Sequence, residues 1–377
     1  MASDTLRPGN EAELCEAIAG ARAPLDIRGG GSKHAIGRPS DAQILDMRGF
    51  AGVVDYDPPE LVLTVRPATP LSEVQALVAG ENQMLAFEPF DHGAIFGVPS
   101  GAATIGGVVA AGIAGSQRIA FGGARDHLLG CHAVSGRGEV FVAGAKVVKN
   151  VTGYDLPKLI AGSWGRLAAI TELTLKVLPA PRVTATRVLR GLDPDAAVAA
   201  MAAAMGSQAE VAAAAHRSGA APLTAFRLQG FEASVAARCA GLARSLAPFG
   251  PLEDAGADGA MIWDDLRTLS ALPAERPLWR ASVPPSAGGV LVRTLERAGA
   301  ACLLDWAGGL AWIAHEDETI VRAAAAAAQG HAMLVRAPAD LRARLATFHP
   351  QPAGLAALEE RVRRAFDPRG VFETGRF

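Results

Sequence analysis

Between Gly97 and Gly123 the chain reads "GVPSGAATIGGVVAAGIAGSQRIAFGG", eight glycines in 27 residues. So few side chains cannot build a core of their own. Such a stretch turns, or lies directly against another backbone or a ligand. Thr104, ahead of Ile105-Gly106-Gly107, sits where a helix N-cap is expected, and the "VVAAGIAG" that follows is small and apolar throughout. The first turn of such a helix exposes its N–H groups with nothing bulky above them, so an anion can rest directly on it. A side chain at Gly106 is therefore expected to collide with that anion. The alternative is that these glycines only permit close helix packing and tight turns.

A second cluster raises the same question about 70 residues earlier: "LDIRGGGSKHAIGRP", Leu25 to Pro39. A short apolar run ends in Arg28, three glycines, Ser32 and Lys33. A dinucleotide fingerprint of the G-x-G-x-x-G type needs glycine where the chain has His34, and the P-loop spacing is missing. Neither common phosphate loop is present. Two glycine loops, each beside strand patterns, nevertheless suit a pyrophosphate better than either does alone.

At 377 residues the chain exceeds one ordinary core, so two domains are expected. Lys and Arg total 36 against 38 Asp and Glu, which leaves no basic surplus for nucleic acid or an anionic membrane surface. "MASDTLRPGNEAELCEAI" lacks the basic start and apolar core of a signal peptide, and no run reaches membrane-spanning length. A cytoplasmic chain that does not itself insert into a membrane is expected. Cys15, Cys131, Cys239 and Cys302 are isolated from one another. Buried reduced thiols are expected, with no metal or iron–sulfur site built from this chain alone.

The coarse pattern predicts a helix over 11–20, a strand at 25–27, and strands 52–56 and 61–66 around a turn at Asp57-Pro58-Pro59. A helix capped by Thr69 follows, with Pro70 in its first position and Glu73 in its first turn. "HLLGCHAVSGRGEVFVAG" reads as a strand pair turned at Ser135–Gly138, and 167–179 as one long strand. Beyond Pro179 the chain is alanine-rich, and strand-like and helical segments alternate. This predicts a separate α+β domain on one antiparallel sheet; a repeat of two strand–helix units is too faint in the sequence to claim. "IAHEDET" reads as a strand end and helix start with acids in the first turn, and "LAALEERVRRAF" as a last helix before an extended tail.

Taken in order, "RGGGSK", "LVLTVRPATPLSEVQ", "GAATIGGVVAAGIAG", "GGARDHLLG" and "KVVKNVTGYDLPKLIAGSWGRLAAITELTLKVLP" resemble the flavin-binding domain of the vanillyl-alcohol oxidase superfamily. More closely, the chain is similar to the FAD-binding E subunits of bacterial glycolate oxidase. The resemblance covers about residues 5–180, and more weakly the closing "FDPRGVFETGR". It implies a PCMH-type FAD-binding fold of two small α+β subdomains over 1–180, an α+β cap domain with an antiparallel sheet over 181–350, and a C-terminal helix and tail, 351–377, returning to the FAD domain. By resemblance the cofactor contacts fall on Arg28, Gly29, Gly30, Gly31 and Ser32. They fall also on Pro99, Gly101, Ala103, Thr104, Gly106, Gly107 and Gly115, and on Ile170, whose backbone faces the adenine. In this reading the backbone at Gly29–Gly31 makes room for the FAD phosphates. Many relatives attach the flavin through a histidine where this chain has Ser32, so the FAD is expected to be noncovalent.

Flavin-linked oxidation of a 2-hydroxy acid needs a cation for the carboxylate, a base for the hydroxyl proton, and the α-carbon held against the flavin. The histidine-rich metal motif that catalytic relatives carry in the cap domain is missing from 181–377, where His216, His315, His331 and His349 are scattered. No metal is expected. By resemblance Tyr154 and Arg376 lie near the flavin and are the candidate catalytic residues, with Lys146 and Lys149 as further carboxylate holders. Each has another reading: Tyr154 as a buried strand-to-helix packing residue, Arg376 as a solvated tail charge. The chain departs from its relatives at Glu373-Thr374, where Asn-Pro is common, and at Trp164, where glutamate is common. The family implies an FAD-dependent oxidoreductase acting on glycolate or D-lactate, completed by a sister FAD subunit and an iron–sulfur subunit. Any membrane association would come through those partners. The alternatives are a self-sufficient FAD-dependent 2-hydroxy-acid dehydrogenase and a flavin-bearing, non-catalytic scaffold.

Overall fold

The computed structural model describes residues 5–145 and 154–377. They form two units: Met1–Gly115 with Gly122–Ala180 and Pro350–Phe377, and Ser116–Phe121 with Pro181–His349.

The first unit starts from helix α1 (Glu11–Ala19), capped by the Asn10 side chain and turning Leu14 and Ile18 inward. Strands β1 (Leu25–Arg28) and β2 (Gln43–Asp46) run parallel, with Leu25 opposite Gln43 and Arg28 opposite Asp46. Leu14, Ile18, Leu25, Leu45 and Phe50 pack into one core, which the tail enters with Val371 and Phe372. A second layer is an antiparallel sheet of β3 (Val53–Asp57), β4 (Val62–Val65), β6 (Leu128–Ser135), β7 (Val140–Gly144) and β8 (Ala168–Lys176), in the order β3-β4-β8-β6-β7. The predicted long strand breaks at Val177, because its last residues, β9 (Leu178–Pro179), leave the sheet to pair with β5 (Gln83–Met84). Helix α2 (Leu71–Gly80) begins one residue later than expected. Pro70 holds the cap position without a side-chain bond, while the Thr69 hydroxyl donates to the Arg66 carbonyl at 2.7 Å.

The second unit carries an eight-stranded antiparallel sheet. Its first half runs β10 (Val183–Arg190), α4 (Pro194–Met205), β11 (Ala213–Arg217), β12 (Leu223–Gly230), α5 (Glu232–Leu246) and β13 (Glu253–Asp254). Its second half repeats the sequence with β14 (Leu278–Ser282), α6 (Gly288–Arg297), β15 (Ala301–Asp305), β16 (Leu310–Ala314), α7 (Glu318–Ala327) and β17 (His331–Arg336). The sheet order is β13-β10-β12-β11-β15-β16-β14-β17. Each half is therefore a β-α-β-β-α-β unit of the same internal order, the mirror succession arising because they join through β11 and β15. His216 stands opposite Leu304 at that seam. The repeat that is too faint to claim in the alanine-rich sequence is plain in these halves. Alanine suits the packing: Ala200, Ala204, Ala214 and Ala325 are fully buried between helices and sheet, where larger side chains would hold the layers apart. Asp317 caps α7 as "IAHEDET" predicts.

Cys131, Cys239 and Cys302 are buried and Cys15 is half-buried, all as free thiols. Burial alone pushes the Cys131 thiol up to about 12, so it stays protonated at physiological pH.

Candidate cofactor site

The two glycine loops meet. A Cβ on Gly29 would stand 2.6 Å from the Thr104 hydroxyl, and one on Gly30 would stand 1.7 Å from the Ala102 carbonyl oxygen. These two glycines thus admit the second loop, which fills the room that the sequence reading reserved for phosphates. Gly31, at φ +74°, has nothing within 4 Å of a Cβ and faces open space. It turns the chain rather than admitting a neighbour.

Helix α3 (Ile105–Ala111) starts at Thr104, whose hydroxyl accepts from Gly107 N at 3.3 Å. The cap is the expected one, but the exposed donors are not. Ile105 N donates to the Thr69 carbonyl at 3.0 Å and Gly106 N to the Pro67 carbonyl at 2.8 Å. With Gly107 N on Thr104, the chain itself satisfies the first three N–H groups of the helix. A Cβ on Gly106 would meet Pro67 at 2.4 Å, so a side chain there enters the neighbouring loop and not the anion's space. Gly107 is the position that opens toward Lys33, with the Nζ 3.7 Å from its Cβ direction.

The free donors lie on the first loop instead. Among the described residues, the backbone N–H groups of Gly30, Gly31, Ser32 and Lys33 find no acceptor. Consecutive N–H groups on a turn form a concave anion site, and unpaired ones cost free energy unless something accepts from them. Lys33 adds a cation. Its Nζ donates to Ser32 Oγ at 3.1 Å, and burial holds its ammonium down at about 8, against the pull of Asp91. Nothing in the local sequence marks Lys33 as half-buried.

These groups line one open cleft. Of the expected cofactor residues, Arg28, Gly29, Gly30, Gly31, Ser32, Thr104, Gly106, Gly107 and Ile170 line it. Trp164, Arg166 and Phe377 also line it and were missed. Trp164, at φ +57°, donates its N–H to the Ala110 carbonyl at the end of α3, and its ring stands 5.2 Å from that of Phe377.

Pro99, Gly101, Ala103 and Gly115 stand outside the lining. Gly101 N and Ala103 N both donate to Asp91 Oδ2, at 3.0 and 3.4 Å, so one carboxylate shapes the loop that meets Gly30. Gly115 N donates to the Phe87 carbonyl at 3.0 Å, and a Cβ there would meet the Glu88 carbonyl at 2.8 Å.

Arg376 is a clamp rather than a solvated tail charge. Its Nη1 donates to Asp26 Oδ1 at 2.9 Å, and its Nη2 reaches the carbonyls of Lys33, His34 and Ile36 at 3.2, 3.1 and 2.7 Å. Asp26 is nearly buried and binds Arg28 through its other oxygen at 2.7 Å. Tyr154 is 94% exposed and outside the cleft lining, which overturns its reading as a buried packing residue. Lys146 and Lys149 lie outside the described residues. Among the described residues no group of three or more His, Cys, Asp or Glu could hold a metal ion.

The residues fit an FAD diphosphate: a run of unpaired N–H donors on the first loop with one cation beside them. Comparison with known proteins agrees. A family model for an FAD binding domain matches residues 3–144. Glycolate oxidase subunit GlcE of Escherichia coli (strain K12) is 36% identical over 359 residues, spanning 94% of this chain and 93% of that protein. Glycolate oxidase subunit GlcD of Bacillus subtilis (strain 168) is 28% identical over 167 residues, 44% of this chain and 34% of that one. Among solved structures, p-cresol methylhydroxylase with substrate bound superposes with a TM-score of 0.71 at 13% identity, over 99% of this chain and 88% of that one. The fold is of the PCMH type.

Proposed function

The chain belongs to the family of the glycolate oxidase E subunit, and on that premise we propose that it is the FAD-carrying subunit of an assembly that oxidises glycolate to the 2-oxo acid. The observation that carries this is the cleft, where the N–H groups of Gly30 to Lys33 and the Lys33 ammonium face the start of α3. When bound, FAD supplies the two-electron acceptor for turning a CH–OH carbon into a carbonyl. The chain's own residues hold it: the first loop takes the diphosphate, Lys33 offsets its charge, and Ile170 lines the same cleft. Arg376 and Asp26 keep the loop in shape from behind. Tyr154 stays in this reading as an exposed hydroxyl offered to substrate.

The names of the two glycolate oxidase relatives, each a subunit, support a multi-subunit assembly for this chain as well. A sister FAD subunit and an iron–sulfur subunit complete it in our reading, since none of the four cysteines stands near another in sequence and single electrons leaving a flavin need clusters. Among the described residues no helix is long and apolar enough to cross a membrane.

Ser32 at the usual attachment position makes the FAD noncovalent. Acid precipitation of the purified chain should release all of the yellow colour into the supernatant. Flavin that stays in the pellet would overturn this.

Lys33 gives the site a pH signature. Its ammonium titrates at about 8 in the folded, FAD-free chain, whereas an unfolded lysine titrates near ~10.4. Between those values the unfolded chain holds a proton that the folded chain has lost, so stability of the FAD-free chain rises with pH across that window. A diphosphate beside the ammonium restores the proton, and FAD binding then takes one up. Affinity for FAD should therefore fall above pH 8, by up to about tenfold per pH unit. Titration of the apoprotein with FAD at neutral and alkaline pH should show this slope in wild type and lose it in Lys33→Met. The same slope in both proteins would remove Lys33 from the site.

A further inference from the structure

Of the five tryptophans, Trp263, Trp279, Trp306 and Trp312 belong to the second unit, and Trp164 alone belongs to the first. It stands on a turn ahead of β8 that is bound to the end of α3. Gly162 N donates to the Val109 carbonyl at 3.0 Å, and Trp164 N to the Ala110 carbonyl at 2.8 Å. At φ +57° Trp164 adopts a backbone region that bulky residues rarely take, so the pinned turn decides where the indole goes. Ile27 of β1 stands 3.6 Å from the Cβ position of Gly165, the next residue along.

The tail brings a second ring. The Phe377 centroid lies 5.2 Å from that of Trp164, with the ring planes at 43°. The Arg376 guanidinium, fixed by Asp26 and the carbonyls of Lys33, His34 and Ile36, lies over the Phe377 ring with Cζ 5.2 Å from the centroid. A Cβ on Gly37 would stand 3.1 Å from Phe377 Cε1, so the glycine leaves the room that this ring takes. The two rings lean on each other too closely to admit a third between them. Together they make an aromatic wall, and both line the cleft that holds the first loop.

FAD carries one flat ring system at each end of its diphosphate. The isoalloxazine must keep an open edge for a substrate and for passing electrons on, whereas the adenine can be enclosed. Leu25, Ile170 and Phe372 line the same cleft at 1, 7 and 3% exposure, and Leu25 and Phe372 belong to the core of the unit. Walls backed by a core suit the ring that needs no access. A purine also presents a π-face to an indole whatever its hydrogen-bonding edge does. We propose that the Trp164 indole, propped by Phe377, is the platform on which the adenine of FAD stacks, and that it makes the chain select FAD over FMN. The proposal rests on the FAD-carrying reading above. The platform is the chain's own, since Trp164 is a position at which the sequence departs from its relatives.

The test titrates the full chain, freed of FAD, with three probes. ADP has the adenine and diphosphate without a flavin, FMN has the flavin without an adenine, and FAD has both. In wild type ADP should compete with FAD and quench tryptophan fluorescence, a signal that only Trp164 can give from the first unit. Trp164→Ala should weaken ADP and FAD by the same factor, roughly 5- to 100-fold, and leave FMN unchanged. Trp164→Phe, which keeps a π-face, should retain most of the ADP affinity and lose the quench. Equal losses for all three probes would make Trp164 a support of the loop and overturn the proposal. So would a loss confined to FMN and FAD, which places the flavin on the wall, or no loss at all. Wild type and Trp164→Phe decide the matter even if Trp164→Ala does not fold: ADP that binds without quenching, or a quench that survives in Trp164→Phe, also overturns it. ADP that binds and quenches in a chain that takes up no FAD would sustain the adenine platform and sink the FAD-carrying reading alone.

Discussion

Gly30→Ala should abolish flavin retention. The added Cβ would lie 1.7 Å from the Ala102 carbonyl oxygen, a contact that only backbone movement can relieve. Overpacking usually costs about 1–3 kcal/mol when side chains can yield, and here none is available to do so. The upper end, ~3 kcal/mol, corresponds to a fall in melting temperature of roughly 6–12 °C for a unit of this size. The displaced loop also carries the N–H groups of Gly31 to Lys33, so the donors would lose their common direction along with the stability. Gly31→Ala is the control. Its φ of +74° costs an alanine about 1–2 kcal/mol, but no neighbour stands within 4 Å, so the chain should keep a reduced affinity for FAD. Differential scanning calorimetry and flavin stoichiometry on both variants distinguish them. A Gly30→Ala protein with wild-type melting and one FAD per chain would show that the two loops do not touch as described.

This prediction shows which part of the site was legible in sequence. Glycine runs beside strand patterns announced close backbone approach, and Thr104 announced a helix start, because both are local properties of the chain. What approached what was not local. Gly29 and Gly30 make room for Thr104 and Ala102, and the N–H groups of Ile105 and Gly106 are taken by carbonyls at Thr69 and Pro67. The expected donors of α3 were thereby exchanged for those of the first loop. The lowered pKa of Lys33 was not legible because lysines are usually solvated, and the burial that lowers it belongs to the fold.

The second unit divides in the same way. Strand and helix periodicity made a separate α+β domain readable, whereas its internal repeat shows only in the strand order, where the halves join through β11 and β15.

Arg376→Ala should loosen the first loop and weaken FAD binding from behind the site. The tail is built in before it reaches Arg376: Val371 and Phe372 are buried, and the Asp367 carboxylate accepts from both of their N–H groups. Leu25 N donates to the Val371 carbonyl at 2.7 Å, which fixes the tail beside β1. Arg376 then joins Asp26 to three carbonyls of the segment 33–36, with 12% of its side chain and 6% of that of Asp26 exposed. Removing one partner of a buried pair typically costs about 3–5 kcal/mol. Arg28 remains on Asp26, which places the expected loss near the lower figure. Arg376→Lys keeps a charge for Asp26 but cannot also span three carbonyls from a single ammonium, so it should recover melting temperature more than FAD affinity. Hydrogen exchange should quicken at the amides of His34, Ile36 and Arg38, whose acceptors belong to this loop and to the Arg376 carbonyl. A catalytic Arg376 behaves differently: Arg376→Ala would then keep FAD affinity and amide protection while glycolate turnover collapsed. That outcome would return the residue to the active site and leave the loop to be held by its own hydrogen bonds.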